Sequence, residues 1–169
     1  MSILKVVIAS SDAERVIECR RLLEGGGRIW VTETAGDSAD AVVSVARSRP
    51  DVVLLDLDLA SEDGPAFIIG LLLMKNPGSK VLVLSSNHPR ELILDALFGG
   101  AMGCLEWADS ERLLGKAVRK VHDGEAWVSR KLVTLILDRL ATLIGGIGFE
   151  RLNQIFCFLL NFFYRSFIS

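Results

Sequence analysis

The chain is short of the residues that build metal centres and disulfide frameworks. Its three cysteines, Cys19, Cys104 and Cys157, are scattered and form no CxxC pair, and its two histidines, His88 and His122, lie far apart. That supply argues against a zinc site and for reduced thiols in a cytoplasmic protein. The opening segment, Met1 to Ala9, is too short for the apolar part of a secretion signal and is broken by Lys5. The cleanest apolar run falls far below the ~20 residues that a membrane span requires. Charge of one sign is also missing. A net charge of -2 and an isoelectric point near 5.7 give no general ground for binding nucleic acid.

What the chain does have is apolar residues in short runs. Hydrophobic residues make up 50% of the 169 positions and charged ones 24%, enough for a substantial core in one domain plus an appendage. The most informative run is Val52-Val53-Leu54-Leu55, which ends in Asp56-Leu57-Asp58. Four apolar residues running into a carboxylate read as a strand buried on both faces, in the middle of a parallel sheet. Asp56 is then expected at the carboxyl rim of the sheet, where ligands of open α/β folds bind.

The rest of the chain repeats this rhythm. Strands are predicted at Leu4–Ala9, Ile29–Val31, Val81–Leu84 and Met102–Leu105, each followed by a helical pattern. Ser11 and Glu14 fit a capping box opening the first helix, which ends at Gly25-Gly26-Gly27. The second helix, Ser38 to Ser48, carries Ala41, Val42, Val45 and Ala46 as its apolar stripe. Ala66–Lys75, Pro89–Phe98 and Ser110–Asp123 complete a set of five. Five alternating βα units imply parallel strands joined by right-handed crossovers, with helices on both faces. A further helix is predicted from Arg130 to Thr142, ahead of an aromatic-rich tail.

Ser10-Ser11, Asp56 and Ser85 converge on one sheet edge in this scheme. Together with Pro50 to Leu57, Asp63-Gly64, Val81 to Ser85 and Gly99 to Leu105, they resemble the receiver domain of two-component response regulators. The passage from Leu113 to Ser129 is similar to the receiver-to-linker region of LuxR-type (NarL/FixJ-like) regulators. The resemblance implies a flavodoxin-like (βα)5 fold, strand order 2-1-3-4-5, with a short helical C-terminal extension. The organisation expected is a receiver-like domain over 1–124, a linker helix over 125–148 and an apolar tail over 149–169.

The resemblance also assigns roles. Asp56 matches the phosphoacceptor and Ser85 the switch hydroxyl. In the family an acidic pair after the first strand holds Mg²⁺ and a lysine after the fifth pairs with the phosphoryl group. Here the acidic-pair positions carry Ser10 and Ser11, and the lysine position carries Trp107 beside Glu106. Two hydroxyls are poor substitutes for carboxylates, which leaves at most a weak Mg²⁺ site built from Asp12, Asp56 and Asp58. No other cofactor is expected. With the acidic pair and the lysine both gone, the site is expected to lack most of its electrostatics and its one fixed positive charge. Trp107 is read either as packing over the vacated site or as an exposed contact for a partner.

The resulting expectation is a pseudo-receiver without enzymatic activity. It would signal through a histidine kinase or another protein, by the face built from its fourth helix, fifth strand and fifth helix. A phosphorylatable regulator involved in transcription is the alternative. A third reading takes Asp56-Leu57-Asp58 as the DxD of haloacid-dehalogenase-type phosphatases. That motif usually has Thr or Val where this chain has Ala60, and it follows the first strand rather than the third. His88 and His122 are read as surface or helix-end residues. No helix-turn-helix is visible, and Arg151 and Arg165 are the only basic residues after Ala141, so direct DNA binding is not expected. The tail is read as a docking or self-associating element, as a weak membrane-surface element or as the mark of a truncated regulator, with self-association or truncation favoured, and a homodimer is one expected arrangement.

Overall fold

The computed structural model describes residues 2–60 and 63–144. The expected 149–169 tail lies outside them. The chain divides into two compact units, one through Val128 and one from Ser129.

The first unit is a five-stranded sheet. Its strands are β1 (Leu4–Ala9), β2 (Ile29–Ala35), β3 (Val52–Asp56), β4 (Lys80–Ser85) and β5 (Gly103–Glu106). They run parallel in the order β2-β1-β3-β4-β5. Between them lie α1 (Ala13–Glu24), α2 (Ser38–Ser48), α3 (Pro65–Lys75) and α4 (Arg90–Phe98), and α5 (Ser110–His122) follows β5. This is the flavodoxin-like order, with the chain reversing direction across the sheet between β1 and β3.

β3 is buried at all five positions, as its apolar run requires. Alternate residues serve opposite faces. Val6, Ile8, Val52, Leu54, Leu82 and Leu84 share one core with Cys19 and Leu23 of α1 and Leu114 and Val118 of α5. The intervening Val7, Val53, Leu55, Val81 and Val83 are equally buried and point to the other side.

Three details differ from the sequence reading. β2 runs four residues past Val31 because β1 pairs with it through a bulge between Val6 and Val7, which lets Glu33 to Ala35 rejoin the ladder. Ala46 is exposed, and Ser44 is buried beside Ala41 and Val45 instead. The first helix is not capped by Ser11. Asp12 takes the extended N-cap conformation and accepts from the amides of Glu14 and Arg15. A carboxylate caps as well as a hydroxyl and adds charge that suits the helix N-terminus.

The outer edge of β5 is closed by the chain itself. Cys104 N–H donates to the Trp127 carbonyl (2.8 Å) and Trp127 N–H to the Met102 carbonyl (3.0 Å). In the second unit α6 (Arg130–Ile144) extends two residues beyond the predicted end. The Ser129 hydroxyl accepts from the Leu132 amide at its start (3.3 Å). Among the described residues no helix is long and apolar enough to cross a membrane.

Candidate functional site

The site sits at the carboxyl ends of β1, β3, β4 and β5, around Asp56. Asp56 is the last residue of β3 and is only 1% exposed. A buried carboxyl needs partners, and it has three. Its Oδ1 accepts from the Asp58 amide (3.1 Å), in the single 3-10 turn Leu57–Leu59 that follows the strand. Its Oδ2 accepts from the Ser10 hydroxyl (2.8 Å) and from Arg15 Nη1 (2.9 Å).

Arg15 is the side chain that the sequence reading missed. Besides Asp56, its Nη1 reaches Asp58 Oδ2 at 2.6 Å, and its Nε lies 3.4 Å from Asp12 Oδ2. The three carboxylates expected to form a weak metal set therefore meet on a guanidinium. The site does keep a fixed positive charge, contrary to the expectation drawn from the missing lysine. Partial burial works against the charge on Arg15, but hydrogen bonds to Asp56 and Asp58, and then their charge, outweigh it and raise its pKa further. Asp58 shows the mirror effect. Burial disfavours its ionised form, yet hydrogen bonds from Arg15 and His88 and the charge of Arg15 hold it below its ordinary value.

A cation in the first turn of a helix opposes the helix dipole. That conflict is the one sequence signal for Arg15: such a residue needs an anionic partner, and the carboxyl ends of β1 and β3 supply one.

Trp107, just after β5, is half-buried, packs against the core and lies beneath Arg15, whose Cζ is 5.5 Å from the ring centroid. The structure thus favours the packing reading of Trp107, with the addition that what it covers is a guanidinium. Ser10 is buried and receives the Asp12 amide on its hydroxyl (3.2 Å), while Ser11 is exposed. Ser85 is fully buried at the end of β4, and its hydroxyl accepts from the His88 amide (3.3 Å).

His88 is not an idle surface residue either. Its Nδ1 accepts from the Ser86 amide (3.0 Å) and its Nε2 lies 2.9 Å from Asp58 Oδ1. With Nδ1 as acceptor, the network assigns the proton to Nε2, which donates to Asp58. Asn87, in the left-handed conformation, donates its amide to Glu106 Oε2 (3.2 Å). The loop between β4 and α4 is therefore tied to β3 through Asp58 and to β5 through Glu106. Burial pushes the thiols of both Cys19 and Cys104 up to about 12. Among the described residues no group of three His, Cys, Asp or Glu side chains is placed to hold a metal ion.

Comparison with known proteins agrees with this architecture. A family model for the response regulator receiver domain matches residues 6–119. The oxygen regulatory protein NreC of Staphylococcus aureus (strain JH9) is 30% identical over 136 residues, covering 80% of this chain and 62% of that protein. The chain thus spans 62% of the length of the curated relatives it matches. A LuxR-family two-component response regulator from Aurantimonas sp. SI85-9A1 superposes with a TM-score of 0.72 at 19% identity, covering 83% of this chain and 99% of that one. The receiver domain of NarL from Mycobacterium tuberculosis gives 0.68 at 26% identity, covering 74% of this chain and 100% of that one.

Proposed function

The chain belongs to the response regulator receiver family, and on that premise we propose that it is an atypical receiver, one that signals by contact with another protein while Asp56 accepts phosphoryl groups weakly or not at all. The observation that carries this is the engagement of a buried Asp56, three of whose roughly four acceptor sites are taken. One oxygen receives the Asp58 amide, and the other receives both the Ser10 hydroxyl and the Arg15 guanidinium. In-line attack on phosphorus needs a free lone pair on the nucleophile. It also needs positive charge offered to the equatorial oxygens of the incoming group. Arg15 is a cation in the right region, but it is engaged by Asp12, Asp56 and Asp58. Trp107 adds no charge where the family carries lysine.

A histidine kinase or another signalling protein is the partner class. The surface we assign to it is built from α4, β5 and α5. His88 links Asp58 to the loop that leads into α4, and Asn87 links that loop to β5, so a partner seated there is coupled to the site. The module works without enzymatic activity, in the cytoplasm, in the regulation of transcription, and without direct contact to DNA. Self-association belongs to the same proposal.

Intact mass after incubation with acetyl phosphate and Mg²⁺, beside Asp56→Asn, tests it. The expected result is no phosphate-sized gain in either protein. A stoichiometric gain in the parent that Asp56→Asn abolishes would overturn the reading.

A further inference from the structure

Resemblance to receivers implies a divalent cation beside Asp56, and the donors in this chain do not suit one. Magnesium asks for near-octahedral oxygen coordination at about 2.0–2.1 Å. The carboxylates within reach are Asp12, Asp56 and Asp58, and each already has an oxygen on Arg15. Asp12 Oδ1 is further committed to the amides of Glu14 and Arg15. The Ser10 hydroxyl, standing where the resemblance puts an acid, donates to Asp56 and accepts the Asp12 amide, so it offers an ion a neutral and already engaged oxygen. A dication entering this cluster would stand within a few ångströms of the guanidinium, and like charges at that range repel strongly outside bulk water.

The guanidinium is also held in place. Its backbone is fixed at the N-terminus of α1 by the Asp12 cap. Its planar head lies over Trp107, at 5.5 Å from the centroid. Arginine suits this task because its charge is permanent and its donors diverge in one plane, so one group can serve several carboxylates.

We propose that Arg15 is the resident cation of this receiver: its guanidinium takes the place of the divalent metal, so that the site holds its charge balance, and the Asp58–His88 link to the loop before α4, in a metal-independent state. Arg15 is a positioning residue in this scheme. The inference rests on the reading of Asp56 as a poor acceptor and goes further, by naming what stands in the metal's place.

The test uses the full chain and Mn²⁺ as probe, followed by loss of the free Mn²⁺ resonance signal and by tryptophan fluorescence, with Trp107→Phe marking which tryptophan reports. The parent protein should show no saturable binding through the millimolar range, and its thermal midpoint should be the same in Mg²⁺ and in EDTA. Arg15→Ala, which leaves three carboxylates without their cation, should bind Mn²⁺ at least about tenfold more tightly than the parent, a lower bound for removing a unit charge beside a dication. Adding Asp58→Asn should abolish the gain. Equal binding by parent and variant would overturn the proposal, as would a folded Arg15→Ala that binds no Mn²⁺. If Arg15→Ala fails to fold in EDTA, the parent's thermal midpoint decides alone, and a rise with Mg²⁺ overturns the proposal. Phosphoryl uptake is scored separately. Labelling of Asp56 in EDTA would refute the poor-acceptor reading while leaving the resident cation standing.

Discussion

The Arg15–Asp56 pair makes a sharp thermodynamic prediction. Replacing Arg15 by methionine keeps most of the aliphatic stem and removes the charge. Truncating one partner of a fully buried ion pair costs about 3–5 kcal/mol, because the other charge is left uncompensated. Here Asp56 is 1% exposed but the Arg15 side chain is 19% exposed, and Asp56 keeps the Ser10 hydroxyl and the Asp58 amide. Those two features place the expected cost below that range, at about 2–3 kcal/mol. The Asp58 contact adds little, since that side chain is 47% exposed and exposed pairs contribute about 0–1 kcal/mol. Asp56→Asn removes the stranded charge, so the double variant should recover most of the loss, with a coupling energy of about 2 kcal/mol in a double-mutant cycle. The assay is urea unfolding at neutral pH in EDTA, read by tryptophan fluorescence and far-ultraviolet circular dichroism, accepted where the denaturant slope is unchanged. A cost for Arg15→Met below about 0.5 kcal/mol, with zero coupling to Asp56→Asn, would show that the pair does not hold the site together and would refute the argument.

Two further predictions follow from the same geometry. Asp58 is held below its ordinary value of 3.8, with burial opposing and the Arg15 and His88 hydrogen bonds prevailing; its native form binds a proton less readily than its unfolded form. Its contribution is therefore complete above that ordinary value and is lost as pH falls through the depressed native one. The stability advantage of the parent over Asp58→Asn, measured from neutral pH downward, should hold steady above the ordinary carboxylate range and shrink below it; an advantage that vanishes already near neutrality contradicts the assignment. Gly103→Ala should cost about 1–3 kcal/mol by crowding, because the new methyl group would run into the backbone of Trp127 where it pairs with β5. An unchanged urea midpoint and an unchanged near-ultraviolet tryptophan signal would show that the Trp127 pairing does not constrain β5.

Much of the architecture could be read from local pattern, for reasons that particular elements make plain. A strand buried on both faces must be apolar at every position, so Val52 to Leu55 announces its place in the sheet. Helix ends were legible wherever helix-breaking residues cluster, as at Gly25 to Gly27 and at Pro50. The length of β2 was not, because the bulge that extends it exists only through pairing with β1. The Ser11 cap failed for a similar reason. Ser11 and Asp12 are both competent caps, and which one serves depends on how the chain leaves β1.

The site divides along the same line. Sequence alone placed Asp56 at the end of a buried strand, since that is a matter of residue type and chain order, while the reading of Ser10, Ser11 and Trp107 as replacements for an acidic pair and a lysine came from resemblance. Only the tertiary structure decided what fills the space. Arg15 is three residues past Asp12 in sequence but 41 from Asp56, and His88 is 30 from Asp58. No local pattern records a pairing between the first turn of one helix and the ends of distant strands. It arises because parallel strands in the order 2-1-3-4-5 bring their carboxyl ends to one edge, where a buried carboxyl draws in whatever cation the neighbouring elements can supply.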